Sequence, residues 1–110
     1  MTAGKLVRDL IPDLIRQSGR TVEVRYLTGD DLIAALGAKL IEEAQEAAEV
    51  VHSRKDLVEE LADVREVVAA IMAAVGITEH QVAERAVLKA QARGAFHSGA
   101  WLDSSSFKID

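Results

Sequence analysis

Hydrophobic residues recur at helical spacing in two segments in the middle of the chain. Residues three and four apart share one face of an α-helix, so each segment predicts a long amphipathic helix. The first helix is expected from about Asp31 to Val51, and the second from about Asp56 to Val75, where Gly76 would end it. The apolar stripes consist of Leu36, Leu40, Ala47 and Val50 in the first helix and of Leu57, Val64, Val67 and Ile71 in the second.

Shorter elements are expected before and after these two helices. Pro12 fits the first turn of a short helix that ends near Gly19. Within residues 22–26, apolar and charged residues alternate, which is an extended or strand-like pattern. Thr78 begins a capping-box sequence that predicts a third long helix ending near Gly94.

The connection between the two long helices determines the expected fold class. The segment Ser53-Arg54-Lys55-Asp56 is expected to be a short turn, which makes the two helices antiparallel neighbours. Alanine is abundant and aromatic residues make up only 4%, so each helix buries little area. We therefore expect an all-α fold, in which an antiparallel helical hairpin is completed into a four-helix-bundle-like core by oligomerisation, with a short extended N-terminal segment. Residues 1–110 are expected to form a single domain, in which Phe96 and Trp101 are docked in the core or at a subunit interface.

Composition and charge narrow the classes of function. The net charge is −5 and the pI is about 5.2, which argues against a protein that coats a nucleic acid polymer. No cysteine is present, so disulfides and thiolate metal sites are excluded. No stretch approaches the ~18 apolar residues of a membrane span, and the start of the chain does not resemble a secretory signal. A cytoplasmic location without a membrane partner is expected.

Four acidic residues occupy positions on the two helices where apolar residues are expected. In each helix the two acids are three residues apart and therefore lie on one side, about 60° apart around the axis. Glu46 and Glu60 lie equally far in sequence from Ser53, so the two acidic pairs face each other at a similar height. Clustered carboxylates repel each other and need a compensating charge, which a divalent metal with oxygen ligands supplies. The four residues are Glu43, Glu46, Glu60 and Asp63.

Three sequence motifs together resemble a known enzyme superfamily. The acidic motif Glu42-Glu43-x-x-Glu46 followed by Glu60-x-x-Asp63 is similar to the metal signature of the all-α nucleoside triphosphate pyrophosphohydrolases. This superfamily includes MazG, the dimeric dUTPases and phosphoribosyl-ATP pyrophosphohydrolase. The two ends of the chain resemble one subgroup of this superfamily, which is similar to both MazG and phosphoribosyl-ATP pyrophosphohydrolase. One position departs from the pattern, because Leu10 stands where a basic residue is expected. The terminal motifs are Lys5-Leu6-Val7-Arg8-Asp9-x-Ile11-Pro12 and Lys89-x-x-x-Arg93-Gly94-x-Phe96-x-x-Gly99.

The resemblance implies hydrolysis of a nucleoside triphosphate between the α and β phosphates, which gives a monophosphate and pyrophosphate. It implies a house-cleaning role in the nucleotide pool and a homodimer or homotetramer. Glu42 would orient or deprotonate the attacking water. The ligands of Mg²⁺, or of Mn²⁺ in its place, would be Glu43, Glu46, Glu60 and Asp63.

Basic side chains are needed to hold the phosphates, because the chain lacks the GxxxxGK[ST] sequence of a P-loop. Arginine binds phosphate in a bidentate manner, which favours the two arginines among the candidates. Lys39, one helical turn before the acidic motif, could instead pair with Glu42 or Glu43. The candidates for substrate binding are Lys5, Arg8, Lys89 and Arg93.

Two alternatives to a general nucleotide pyrophosphohydrolase are open from the sequence. One is phosphoribosyl-ATP pyrophosphohydrolase of histidine biosynthesis, against which the segment that precedes the helical hairpin argues. The other is a non-catalytic helical module that binds metal or nucleotide and supports oligomerisation. The intact acids on the apolar stripes and the basic flanking segments argue against the second alternative. The sequence does not indicate which base or sugar is recognised.

Overall fold

The computed structural model describes residues 4–106, and the first three and last four residues lie outside this range. The described part of the chain contains four α-helices and one short 3₁₀ helix, and no strand. The expected all-α class is therefore confirmed. The elements are α1 (Ile11–Gln17), α2 (Gly29–Glu49), α3 (Arg54–Val75), α4 (Glu79–Arg93) and the 3₁₀ helix (Ser104–Ser106).

The short helix α1 has the predicted start and end. Pro12 lies in its first turn, where the missing N–H removes no helical hydrogen bond, and the backbone N–H of Ile11 donates to the carbonyl of Arg8 over 3.1 Å. After the helix, Gly19 has φ +90°, a left-handed conformation that glycine adopts without a steric penalty. The carbonyl of Arg8 is thus bonded to the first residue of α1.

Helices α2 and α3 pack against each other as the predicted antiparallel hairpin. Their connection, residues 50–53, lies two residues earlier in the chain than expected, because α2 ends at Glu49 rather than near Val51 and α3 begins at Arg54 rather than near Asp56. Ser53 is extended, and its carbonyl accepts the Leu57 N–H at 2.8 Å as the first helical bond. The polar run after Ser53 therefore forms the first turn of α3, where an acidic Asp56 interacts favourably with the helix dipole. The interpretation of Ser53-Arg54-Lys55-Asp56 as an interhelical turn was therefore wrong, because the last three of these residues are helical.

The end of α3 agrees with the sequence prediction. Gly76 has φ +75°, and the N–H of Ile77 donates to the carbonyl of Met72 at 2.9 Å. This is the hydrogen bond of a Schellman motif, which satisfies a carbonyl that the helix itself leaves unpaired. Helix α4 follows after three residues and ends, as predicted, just before Gly94.

The strand-like pattern in residues 22–26 does not produce a strand. The chain between α1 and α2 has no regular secondary structure, although Val22 and Val24 are half-buried and Tyr26 is exposed. A strand needs a partner for its backbone groups, and the described residues provide none. The alternation of apolar and charged residues over residues 22–26 therefore predicted which valines are half-buried, but it did not predict a strand correctly.

The chain divides into two compact units, of which the first ends at Thr78 and the second begins at Glu79. The first unit contains α1 and the α2–α3 hairpin. Its buried apolar residues are Pro12, Leu36, Ala47 and Val67, and none of the described side chains is fully buried. In the second unit, α4 has no buried residue. The expectation of one domain over residues 1–110 stays a prediction.

The aromatic residues after α4 are not docked within this chain. Phe96 is 99% exposed and Trp101 is 91% exposed, which contradicts their expected place in the core. Aromatic side chains of this kind anchor protein interfaces as well as cores. Their expected place at a subunit interface stays a prediction.

Candidate metal centre

The hairpin brings five carboxylates from α2 and α3 together. On α2, Glu42, Glu43 and Glu46 offer oxygen atoms that lie within 4.8 Å of one another. Glu43 also forms a second group of this kind with two residues of α3, Glu60 and Asp63. The i, i+3 spacing and the short connection explain how Glu43 reaches the acids of α3. Glu46 belongs to the group on α2 and not to the group with Glu60 and Asp63.

Glu43 is the buried centre of this cluster. Only 6% of its surface is exposed to solvent, and it is the one charged residue that is buried in the described part of the chain. The Oε2 atoms of Glu43 and Glu60 are both buried without a hydrogen-bond partner in the described structure. A buried carboxylate oxygen without a partner costs free energy, and such atoms mark a functional role or an ion. Oxygen ligands at this spacing match the chemistry of Mg²⁺, so the residues present fit a divalent metal.

Lys39 is the nearest positive charge on α2. Its Nζ lies 3.3 Å from Oε1 of Glu43 and 3.5 Å from Oε1 of Glu42. The expected pairing of Lys39 with these acids is therefore confirmed. Burial lowers the pKa of Lys39, but the hydrogen bond to Glu43 and the charges of both acids outweigh this effect, so that its pKa is raised.

Burial has the largest effect on Glu43 and raises the pKa of its carboxyl. The hydrogen bond from Lys39 lowers that pKa, whereas the negative charge of Glu46 raises it again, and the net direction is upward. One lysine therefore compensates the buried carboxylate only in part. The cluster as a whole retains an excess of negative charge, which a divalent cation would neutralise.

Arg8 contacts the cluster from the N-terminal segment. Its Nη2 donates to Oδ1 of Asp63 at 2.7 Å, and its Nη1 lies 3.8 Å from Oε1 of Glu66. The hydrogen bond to Asp63 raises the pKa of Arg8. Arg8 was predicted to bind phosphate, and the structure places it beside the acidic cluster, in contact with a predicted metal ligand. Glu66 was missed from the sequence, and its position three residues after Asp63 was the signal for a shared partner.

The other predicted phosphate-binding residues lie elsewhere in the chain. Lys5 is exposed, and no ion pair between Lys5 and the acids is found in residues 4–106. Lys89 and Arg93 lie on α4, in the second unit, and line a groove with a volume of about 300 Å³. Arg85 lines the same groove and was missed, although it precedes Lys89 by four residues and so continues the basic stripe. The substrate-binding role of these residues stays a prediction.

The all-helical fold and the acidic cluster on its helical hairpin agree with a comparison of the chain with known families. Residues 33–95 match the family profile of the MazG nucleotide pyrophosphohydrolase domain, which spans the whole acidic cluster and more than half of the chain. The chain therefore belongs to the MazG nucleotide pyrophosphohydrolase family.

A second comparison, with a single protein, covers a part of the chain. An uncharacterized protein of Mycolicibacterium smegmatis is 60% identical over 42 residues, which are 38% of this chain and 43% of that protein. The chain thus matches less than half of the length of this relative. No solved structure shows significant similarity to the chain. Among the helices of residues 4–106, none is long and apolar enough to cross a membrane.

Proposed function

We propose that the protein hydrolyses a nucleoside triphosphate between the α and β phosphates, with Mg²⁺ as cofactor and Mn²⁺ as a substitute. The oxygen of water forms a bond to the α-phosphorus, and the bond from this phosphorus to the bridging oxygen breaks. The products are a nucleoside monophosphate and pyrophosphate. Membership of the MazG family supports this class of reaction.

The observation that carries the proposal is the group formed by Glu43, Glu60 and Asp63. Each of the three residues offers one carboxylate oxygen to a set of atoms within 4.8 Å of one another. Glu43 and Glu60 each also have a buried Oε2 without a hydrogen-bond partner in the described structure. In the proposal, these three residues and Glu46 hold the metal. When bound, the metal lowers the pKa of water and neutralises phosphate charge.

Glu42 is proposed as the residue that orients the attacking water and accepts its proton. Its side chain is 41% exposed, so water reaches the carboxylate, and its Oε1 lies 3.5 Å from Nζ of Lys39. Lys39 thereby restricts the orientation of Glu42 while it also compensates Glu43. Correct placement of the base relative to the water supports proton transfer.

The triphosphate is proposed to be bound by basic side chains from the two ends of the chain. Arg8 is beside Asp63, and α4 carries a row of cations along one groove. Arginine and lysine neutralise the charge of the leaving pyrophosphate and hold it by charge-assisted hydrogen bonds. The proposed residues are Lys5, Arg8, Lys89 and Arg93.

The experiment is a panel of triphosphates scored for pyrophosphate release in Mg²⁺, in Mn²⁺ and in EDTA. The panel contains canonical nucleotides, dUTP and nucleotides with damaged bases, together with phosphoribosyl-ATP. Metal-dependent release of pyrophosphate from a nucleoside triphosphate is the expected result. Preferential cleavage of phosphoribosyl-ATP would assign the protein to histidine biosynthesis instead. Calorimetric binding of nucleotide with Mg²⁺ but without turnover over hours would establish a non-catalytic module.

A homodimer or homotetramer is part of the proposal. Only four apolar residues of the described chain are buried, one of them a proline, and a domain of this length ordinarily buries a larger core. Large apolar side chains remain exposed on α3 and α4, among them Leu61 and Leu88. Light scattering with size-exclusion chromatography is expected to give a mass of two or four chains. A monomer at micromolar concentration would overturn this part of the proposal.

The proposed biological role is removal of unwanted nucleotides from the cytoplasmic pool. This role follows from the proposed reaction, because cleavage to the monophosphate withdraws a nucleotide from incorporation by polymerases. Deletion of the gene is expected to raise the cellular concentration of the triphosphate that the panel identifies as the best substrate. An unchanged nucleotide pool would contradict the role without affecting the proposed chemistry.

A further inference from the structure

Arg8 joins two parts of the chain that are 55 residues apart in sequence. It precedes α1, whereas its partner Asp63 lies near the middle of α3. The contact at 2.7 Å is a charge-assisted hydrogen bond, and the guanidinium reaches Glu66 of the same helix at 3.8 Å. Arg8 therefore occupies Oδ1 of Asp63 while bridging two acids on one face of α3.

The same carboxylate belongs to the group that fits a divalent metal. Asp63 shares this group with Glu43 and Glu60, whose oxygen atoms lie within 4.8 Å of one another. A guanidinium and a divalent cation at one carboxylate repel each other, and each satisfies the negative charge that the other would neutralise. A metal at this group would therefore compete with Arg8 for the charge of Asp63.

We propose that Arg8 is the counter-ion of Asp63 in the metal-free protein and that it leaves Asp63 when the metal binds. This inference rests on the proposed role of Asp63 as a metal ligand. Glu66 provides the alternative partner, since it lies within ion-pair distance of the guanidinium without belonging to the metal-fitting groups. The side chain of Arg8 is 57% exposed, so it moves between these acids without crossing the packed core.

Release of Arg8 links metal loading to substrate binding. In the metal-free state the guanidinium is held by Asp63 and is less available to a phosphate group. Once the metal takes the carboxylate, the guanidinium is available to the anionic substrate. The partner of Arg8 thus depends on metal occupancy, and binding of the metal before the nucleotide is favoured.

The first test measures Mn²⁺ affinity by electron paramagnetic resonance in the absence of nucleotide. Arg8→Gln removes the competitor and is expected to bind Mn²⁺ about two- to five-fold more tightly than the unaltered protein. The matched control is Arg65→Gln, which removes an exposed cation two residues from Asp63 and reports the general effect of charge. A smaller change in Arg65→Gln supports direct competition, and equal changes in both variants would overturn it.

The second test follows Arg8 in the unaltered protein. Nuclear magnetic resonance of the Arg8 Nε–Hε group, assigned from its loss in Arg8→Gln, follows the guanidinium during a Mg²⁺ titration. We expect a shift of this resonance at the Mg²⁺ concentrations that saturate the site. Saturation without any change at Arg8 would contradict the inference but leave the proposed function intact. Failure of the protein to bind either metal, measured on a folded sample, would overturn both.

Discussion

Lys39 and Glu43 form an ion pair one helical turn apart on α2, with 3.3 Å between Nζ and Oε1. The second oxygen of the same carboxylate, Oε2, is buried and has no hydrogen-bond partner in the described structure. Glu43 is therefore paired at one oxygen and unpaired at the other, and the same residue forms a group with Glu60 and Asp63 of α3. This asymmetry is the physical basis for the proposed metal site and for the predictions that follow.

Replacement Glu43→Gln is expected to reduce pyrophosphate release by at least about 100-fold, because the amide retains the shape but lacks the charge of a metal ligand. The measurement is turnover at saturating Mg²⁺ together with Mn²⁺ affinity, and both are expected to fall. The matched control is Glu49→Gln, an exposed acid at the end of the same helix, with activity within about two-fold of the unaltered protein. Full activity in Glu43→Gln would exclude its assignment as a ligand.

The raised pKa of Glu43 predicts how the stability of the metal-free protein depends on pH. Because the folded state holds this proton more tightly than the unfolded state, protonation of Glu43 favours folding. That contribution is fully present below the ordinary glutamate pKa of about 4.3 and is lost as the pH rises through the raised pKa. In EDTA, Glu43→Gln is therefore expected to be more stable than the unaltered protein at neutral pH, with a difference that disappears in acid.

Urea denaturation between acidic and neutral pH measures this difference in the free energy of unfolding. Glu49→Gln provides the control for the loss of an ordinary surface carboxylate. A destabilised Glu43→Gln at neutral pH would show that the ion pair with Lys39 outweighs the cost of burying the carboxylate. That outcome would contradict the predicted sign.

Removal of the lysine has the opposite effect on stability. Lys39→Met is expected to lower the free energy of unfolding of the metal-free protein by about 1–3 kcal/mol, because the buried Glu43 loses its counter-charge. Saturating Mg²⁺ is expected to reduce this difference, since the metal supplies positive charge to the same carboxylate. Chemical denaturation with Mg²⁺ and with EDTA measures both effects. Lys55→Met, at an exposed position in the first turn of α3, is the control, and an equal loss in both variants would refute the specific role of Lys39.

Much of the acidic cluster could be predicted from the sequence because it depends on local rules. The spacing of Glu43 and Glu46, and that of Glu60 and Asp63, places each pair on one side of a helix. A short antiparallel connection then fixes their relative height. The structure brings Glu43, Glu60 and Asp63 together in this way, although α3 begins earlier than expected. Helical periodicity is insensitive to such a shift of the boundary.

The contact of Arg8 with Asp63 and Glu66 could not be predicted in the same way. Helix α1, an irregular segment and helix α2 separate Arg8 from its partners, and no periodic pattern constrains where the irregular segment leads. The exposed Phe96 and Trp101 illustrate a different limit. Hydrophobic character indicates that a side chain favours burial, but it does not specify whether the same chain or another copy provides the contact.

Anomalous X-ray diffraction from crystals grown with Mn²⁺ is the most direct test of the proposed metal centre. The account predicts an anomalous peak coordinated by carboxylate oxygens of Glu43, Glu46, Glu60 and Asp63, and loss of this peak in crystals of Glu43→Gln. Crystals of Glu49→Gln are expected to retain it. A Mn²⁺ ion bound elsewhere while this cluster has no anomalous peak, or an undiminished peak in Glu43→Gln, would contradict the account.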